Sequence, residues 1–172
     1  MTDTVTSTDL LADAFGRIRE TVLEVLDGLD EEQLAERVGP HANPIGWLVW
    51  HLTRIQDDHV ADVAGTEHVW TGDGWYERFG LPYPPSAHGY GQSSRQVGQF
   101  RGVSAELLAG YHEAVHARTV AFLDGLKASE LSRIVDDSWD PPVTLAVRLV
   151  SVVADDLQHV GQAAYVRGLL SG

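Results

Sequence analysis

The sequence predicts an all-α protein, a four-helix bundle with a long aromatic loop between its second and third helices. Three observations predict it. Four segments of about twenty residues repeat apolar side chains every three or four positions, which gathers them on one helix face. No segment shows the period-two alternation of a half-buried strand. Between the second and third segments lie nearly forty residues, Gly65 to Val103, too rich in glycine and proline to be a helix.

The first helix is expected over Ser7–Leu29, with Leu11, Phe15, Ile18, Val22, Val25 and Leu29 as its stripe. Ser7 or Thr8 can cap it, and Asp9 suits the positive end of the helix dipole. The second spans Pro44–Ala64, with Asn43 as N-cap, Pro44 at the first helical position and Gly65 as the stop. The third spans Ser104–Leu126, with Leu108, Tyr111, Val115, Phe122 and Leu126 as its stripe. The fourth spans Thr144–Leu170, after the break at Pro141 and Pro142. It is apolar almost all round from Leu145 to Ala154, and is therefore expected to be the most buried of the four. Asp30–Asn43 reads as a connecting loop. The Gly65–Val103 segment carries Trp70, Trp75, Tyr76, Phe79, Tyr83, Tyr90 and Phe100, which are costly to leave in water. A long aromatic loop of this kind reads as a lid or binding loop.

The 172 residues suit one domain over 1–172. Hydrophobic residues are 44% and charged residues 22%, ordinary for a globular protein. Lys plus Arg is 12 against 25 for Asp plus Glu, a net charge of -13, which argues against a nucleic-acid partner and against an anionic membrane surface. The start of the chain lacks the basic and apolar character of a signal peptide, and no stretch is apolar enough to span a bilayer, so a cytoplasmic location is expected. There is no cysteine. Disulfides, zinc–thiolate sites and cysteine nucleophiles are excluded, and any thiol chemistry must use a thiol carried by a small molecule.

Asp155 and His159 are four apart in the fourth helix, hence on one face and one turn apart. His51 lies mid-helix in the run Trp-Leu-Val-Trp-His-Leu, where an imidazole needs a partner. If the second and fourth helices are neighbours, these three can surround one divalent metal and leave a position open, as in a catalytic zinc site; nickel, manganese or iron would fit the same donors. The alternative is an intrahelical Asp155–His159 ion pair and a core His51 bonded to a carbonyl. Gln162 lies one turn past His159 and either supports a ligand or is an ordinary polar residue. Arg148 either binds an anionic group of a substrate or, the favoured reading, pairs with a carboxylate. Asp58 and His59 either line the mouth of a pocket or, the favoured reading, pair structurally. Arg78 and Arg95, among the loop aromatics, could hold a negatively charged group, with Trp75 and Tyr76 beside them. His41, His68, His88, His112 and His116 read as surface or loop histidines.

Two stretches carry a family resemblance. Pro44-Ile-Gly-Trp-Leu-Val-Trp-His51-Leu-Thr-Arg-Ile is similar to the second helix of the DinB-like superfamily, with its single metal histidine. Asp155-Asp-Leu-Gln-His159-Val-Gly-Gln162 is similar to that superfamily's closing His-x-x-x-His-x-Gly-Gln pattern. The chain resembles these metal-binding bundles, which include YfiT-like proteins and the mycothiol-dependent maleylpyruvate isomerase, along nearly its whole length. It departs from the common pattern at Asp155, where histidine is usual; a carboxylate, as Glu, occurs in the mycothiol isomerase branch. Asp156 is the substitute candidate but faces about 100° away on the helix.

The resemblance implies a metal, zinc first, on His51, Asp155 and His159, with mycothiol as thiol cosubstrate. Arginine far outnumbers lysine in an Ala-, Val-, Asp- and Gly-rich chain, which suggests a high-GC actinobacterial source, compatible with mycothiol use. The leading expectation is a detoxifying S-transferase that joins mycothiol to an electrophilic small molecule without a protein nucleophile. The alternatives are a metal-dependent hydrolase, a non-catalytic metal-binding stress protein and a mycothiol-dependent isomerase. The last ranks lower because that group usually carries a further C-terminal domain. Bundles of the resembled family are often homodimers, and spare apolar residues such as Val49 and Leu123 would permit one here.

Overall fold

Residues 5–171 are described by the structure, a computed structural model. The protein is all-α apart from one small hairpin. The long helices are α1 (Ser7–Leu26), then, after a one-turn α2 (Glu31–Ala35), α3 (Ile45–Ala64). Three short helices follow, α4 (Val69–Gly72), α5 (Trp75–Phe79) and α6 (Ser94–Val97). Then come the long α7 (Ala105–Gly125), a 3₁₀ turn at Ala128–Ser132, strands β1 (Ile134–Asp136) and β2 (Val143–Thr144), and the long α8 (Leu145–Leu170).

Capping places the helix starts. Thr6, one residue before the expected caps, accepts from the Asp9 amide while the Asp9 carboxylate accepts from Thr6, a reciprocal capping box. Pro44, not Asn43, is the N-cap of α3; it has no side chain to offer, and Ile45 opens the helix. Ser104 and Thr144 cap α7 and α8 through their hydroxyls. Gly65 ends α3 in the left-handed region, as its place in the sequence predicts. The expected loop Asp30–Asn43 holds α2, whose cap Asp30 pairs reciprocally with Gln33. The hairpin β1–β2 is antiparallel and too short for alternation to register in the sequence.

Around the bundle, α3 packs against α7 and α8, and α1 packs against the same two. Residue pairs fix the directions. His51 meets His159 and His59 approaches Arg148, so α3 and α8 are antiparallel. Thr53 bonds His112 and Gln56 bonds Thr119, so α3 and α7 are parallel neighbours. A parallel pair forces the chain to travel back the length of a helix, about 30 Å for twenty residues. This requirement accounts for the long second connection.

That connection is packed against the bundle. Trp70, Phe79, Tyr83 and Phe100 are buried, and Trp50 of α3 touches Trp70, Tyr83 and Phe100. Its cover makes α3, not α8, the most buried helix, against the expectation from hydrophobicity. α8 leaves Val147, Val150, Leu157 and Tyr165 exposed because none of the described residues covers them. Val49 and Leu123, expected as spare apolar positions, are both buried in the chain's own core. His112 is fully buried rather than superficial; burial pushes its pKa down to about 3, and the ring is neutral. Among the described residues, no helix is long and apolar enough to cross a membrane.

Candidate metal centre

The antiparallel register of α3 and α8 brings His51 against Asp155 and His159. One donor atom from each lies within 4.8 Å of the other two. Asp155 Oδ1 and His159 Nε2 are 3.6 Å apart, and the His51 and His159 rings lie edge to face at 4.7 Å. A tetrahedral ion with bonds near 2.1 Å needs donors about 3.4 Å apart, so the cluster closes around one with small side-chain adjustments. Asp155 Oδ2 is buried with no hydrogen-bond partner, an acceptor that a cation would satisfy. The donor set of two imidazoles and one carboxylate therefore fits a divalent metal.

Both imidazoles are held in the ligand form. His51 Nδ1 donates to the His88 carbonyl, leaving Nε2 as the free lone pair. Its ring stacks on Trp47, with centroids 4.8 Å apart. Burial pushes the His51 pKa down, with the His88 carbonyl opposing, so the ring is neutral at neutral pH. His159 Nδ1 lies 2.9 Å from Gln162 Oε1, which sets the same tautomer on the second ring. Replacing Gln162 with alanine is expected to weaken metal binding about ten- to hundredfold, as loss of an outer hydrogen-bond partner typically does. Competition with a chromophoric chelator measures it, and an unchanged affinity would show that Gln162 orients nothing.

The long connection closes over His51. Arg54 Nε donates to the Ala87 carbonyl at 3.0 Å, and Trp47 Nε1 donates to Gln92 Oε1 at 2.8 Å. Between these ties Gly89 adopts φ +95, and a Cβ there would lie 2.5 Å from His51 Nδ1, so only glycine fits. Beside the cluster is a cavity of about 350 Å³ lined by Ile55, Asp58, His59, His88, Tyr90, Ser151, Val152 and Asp155. Asp155 belongs to both cavity and cluster.

The other sequence candidates fall into two groups. Asp58 and His59 line the cavity; Asp58 also lies 4.0 Å from Arg54 and 3.8 Å from His68. Arg148 pairs with Asp136 at 2.9 Å. Trp75 and Tyr76 are half-buried away from the cavity, packed on Tyr111 and Trp70 respectively. Arg78 is exposed and lies over the Trp75 ring, and Arg95 is exposed at the end of α6; neither reaches the cavity. Asp156 is fully buried and outside the cluster, both carboxylate oxygens lack a partner, and burial pushes its pKa well up. The sequence reading missed Trp47, the His88 carbonyl, Gly89, Gln92 and Ser151 around the site. The Gly89-Tyr90-Gly91 run signals a tight turn but not the helix it approaches.

No curated protein matches the chain. Among solved structures, the crystal structure of a conserved protein from Enterococcus faecalis superposes with a TM-score of 0.89 and 29% identity. That match covers 95% of this chain and 96% of the other. The model of the mycothiol S-transferase family matches residues 10–172. Since that match takes in all four long helices but the first turn of α1, the chain belongs to the mycothiol S-transferase family, within the DinB-like superfamily.

Proposed function

We propose that the protein is a metal-dependent S-transferase that joins mycothiol to an electrophilic small molecule. The observation that carries this reading is a His51–Asp155–His159 donor cluster opening on a cavity, in a family named for this transfer and in a chain without cysteine. A divalent ion bound there, zinc first, would supply the Lewis acidity that lets a thiol lose its proton to solvent at neutral pH. The protein's own part is positional. His51, Asp155 and His159 provide the ligands, and the His88 carbonyl and Gln162 hold the two rings in register. Trp47 and the strap from Ala87 to Gln92 shield one side of the cluster from water. The cavity leaves room for the body of the cosubstrate and for the carbon under attack. The sulfur lone pair forms the carbon–sulfur bond, and the leaving group departs with its electron pair.

The test is conjugation of mycothiol to monochlorobimane by zinc-loaded protein. Acceleration over the uncatalysed reaction, abolished in His159→Ala, is expected. A fully metal-loaded wild type that fails to accelerate conjugation across a panel of electrophiles would remove the reading. Ester turnover without thiol would point to hydrolysis instead.

A further inference from the structure

The charged side chains lining the cavity are Asp58 and Asp155, with no lysine or arginine among the lining residues. The neighbouring arginines each have a nearer carboxylate than those of the wall. Arg54 is fully buried, donates to the Ala87 carbonyl, and lies closer to Asp57, at 3.5 Å, than to Asp58, at 4.0 Å. Arg148 pairs with Asp136 at 2.9 Å. His59 faces the cavity as a neutral ring, because burial and then Arg148 push its pKa down. A divalent ion would offset Asp155 and one deprotonated thiol; on the wall, Arg54 is shared by Asp57 and Asp58, with His68 at 3.8 Å from Asp58, and the one arginine leaves the two carboxylates a net negative charge, which Asp58 presents to the cavity.

We infer that Asp58 is a specificity-determining residue that discriminates against thiols carrying a carboxylate and favours uncharged ones. The inference rests on the S-transferase reading and goes beyond it to the charge of the cosubstrate. A carboxylate attached near the sulfur of a bound thiol must enter the cavity and face Asp58 across a half-buried, weakly screened space. No cation on the wall compensates. A neutral cosubstrate with hydroxyl or amide donors meets the same wall as a hydrogen-bond acceptor.

Cobalt-loaded wild type, Asp58→Asn, Asp58→Glu and Asp62→Asn are titrated with N-acetylcysteine amide and with N-acetylcysteine. Binding is followed by sulfur-to-cobalt charge-transfer absorption. The thiols differ in their carboxylate, and their intrinsic difference in acidity cancels in the ratio between variant and wild type. Asp58→Asn is expected to raise the relative affinity for N-acetylcysteine about tenfold. Asp58→Glu, which keeps the charge, should leave the ratio at the wild-type value. So should Asp62→Asn, an exposed carboxylate one turn further along α3 and outside the lining. An unchanged ratio in Asp58→Asn, or an equal shift in Asp62→Asn, overturns the inference. If neither thiol gives the absorption in cobalt-loaded wild type, the S-transferase reading falls and takes this inference with it, an outcome distinct from equal binding of both.

Discussion

Replacing His159 with alanine is expected to weaken metal binding by about a thousandfold or more, beyond the ten- to hundredfold typical of an outer partner. The cluster offers three donor atoms, and losing one leaves His51 and Asp155 from different helices with nothing to complete the set. Solvent would have to supply the missing ligand. The fold itself should survive, because His159 is only partly buried and its partners are Asp155 and Gln162 on its own helix. Metal that binds only the folded state raises the melting temperature, so two measurements check the expectation together. Chelator competition should show the loss of affinity. Thermal melts should show a metal-induced rise in wild type that disappears in His159→Ala, with the metal-free proteins melting close together. A retained rise in the variant would place the metal elsewhere.

Replacing Asp57 with alanine is expected to destabilise the fold by about 3–5 kcal/mol, the cost of stranding a buried charge. Asp57 is buried in α3, yet its carboxylate is fully used. Oδ1 accepts from the Val69 amide at 2.9 Å, and Oδ2 accepts from the Trp70 amide and the Tyr111 hydroxyl, each at 2.8 Å. Arg54 stands 3.5 Å away with its side chain equally buried. Burial, with Asp57 beside it, pushes the Tyr111 pKa well up, so the phenol stays a donor. Alanine would orphan three donors and leave the Arg54 guanidinium without its nearer, buried carboxylate. The loss is a large share of the 5–15 kcal/mol that holds a typical domain together. Urea denaturation of the metal-free protein measures it. Arg54→Met combined with Asp57→Ala should cost less than the sum of the two single changes, because each single change isolates a partner. Strict additivity would show that the pair is not coupled. Because this carboxylate ties the start of the long connection to α3, Asp57→Ala should also loosen the strap over His51.

Asp57 illustrates why part of the site was illegible in the sequence. It sits in the run Gln-Asp-Asp-His beside Asp58, and the two look alike in one dimension. One points into the core beneath a loop that returns twelve residues later; the other lines the cavity. His112 was misread for the same reason. A histidine on a mixed stripe gives no sign that the hydroxyl of Thr53, from another helix, will lie 2.9 Å from its Nδ1. Hydrophobicity likewise ranked α8 above α3 because it measures what a helix could bury, whereas burial depends on what arrives to cover it.

The sequence by itself determined what is local. Helix spans followed from periodicity, and the Gly65 stop from a residue that tolerates the left-handed region. The pairing of Asp155 with His159 followed from the rise and turn of a helix, which repeat wherever hydrogen bonds run four residues back. Tertiary structure alone decided which rods touch and in which direction. The antiparallel contact of α3 and α8 delivers His51 to that pair, and the returning connection lays the His88 carbonyl on its ring. Such contacts join residues from about forty to more than a hundred positions apart. They are settled by how whole faces pack, a property that no short window of sequence contains.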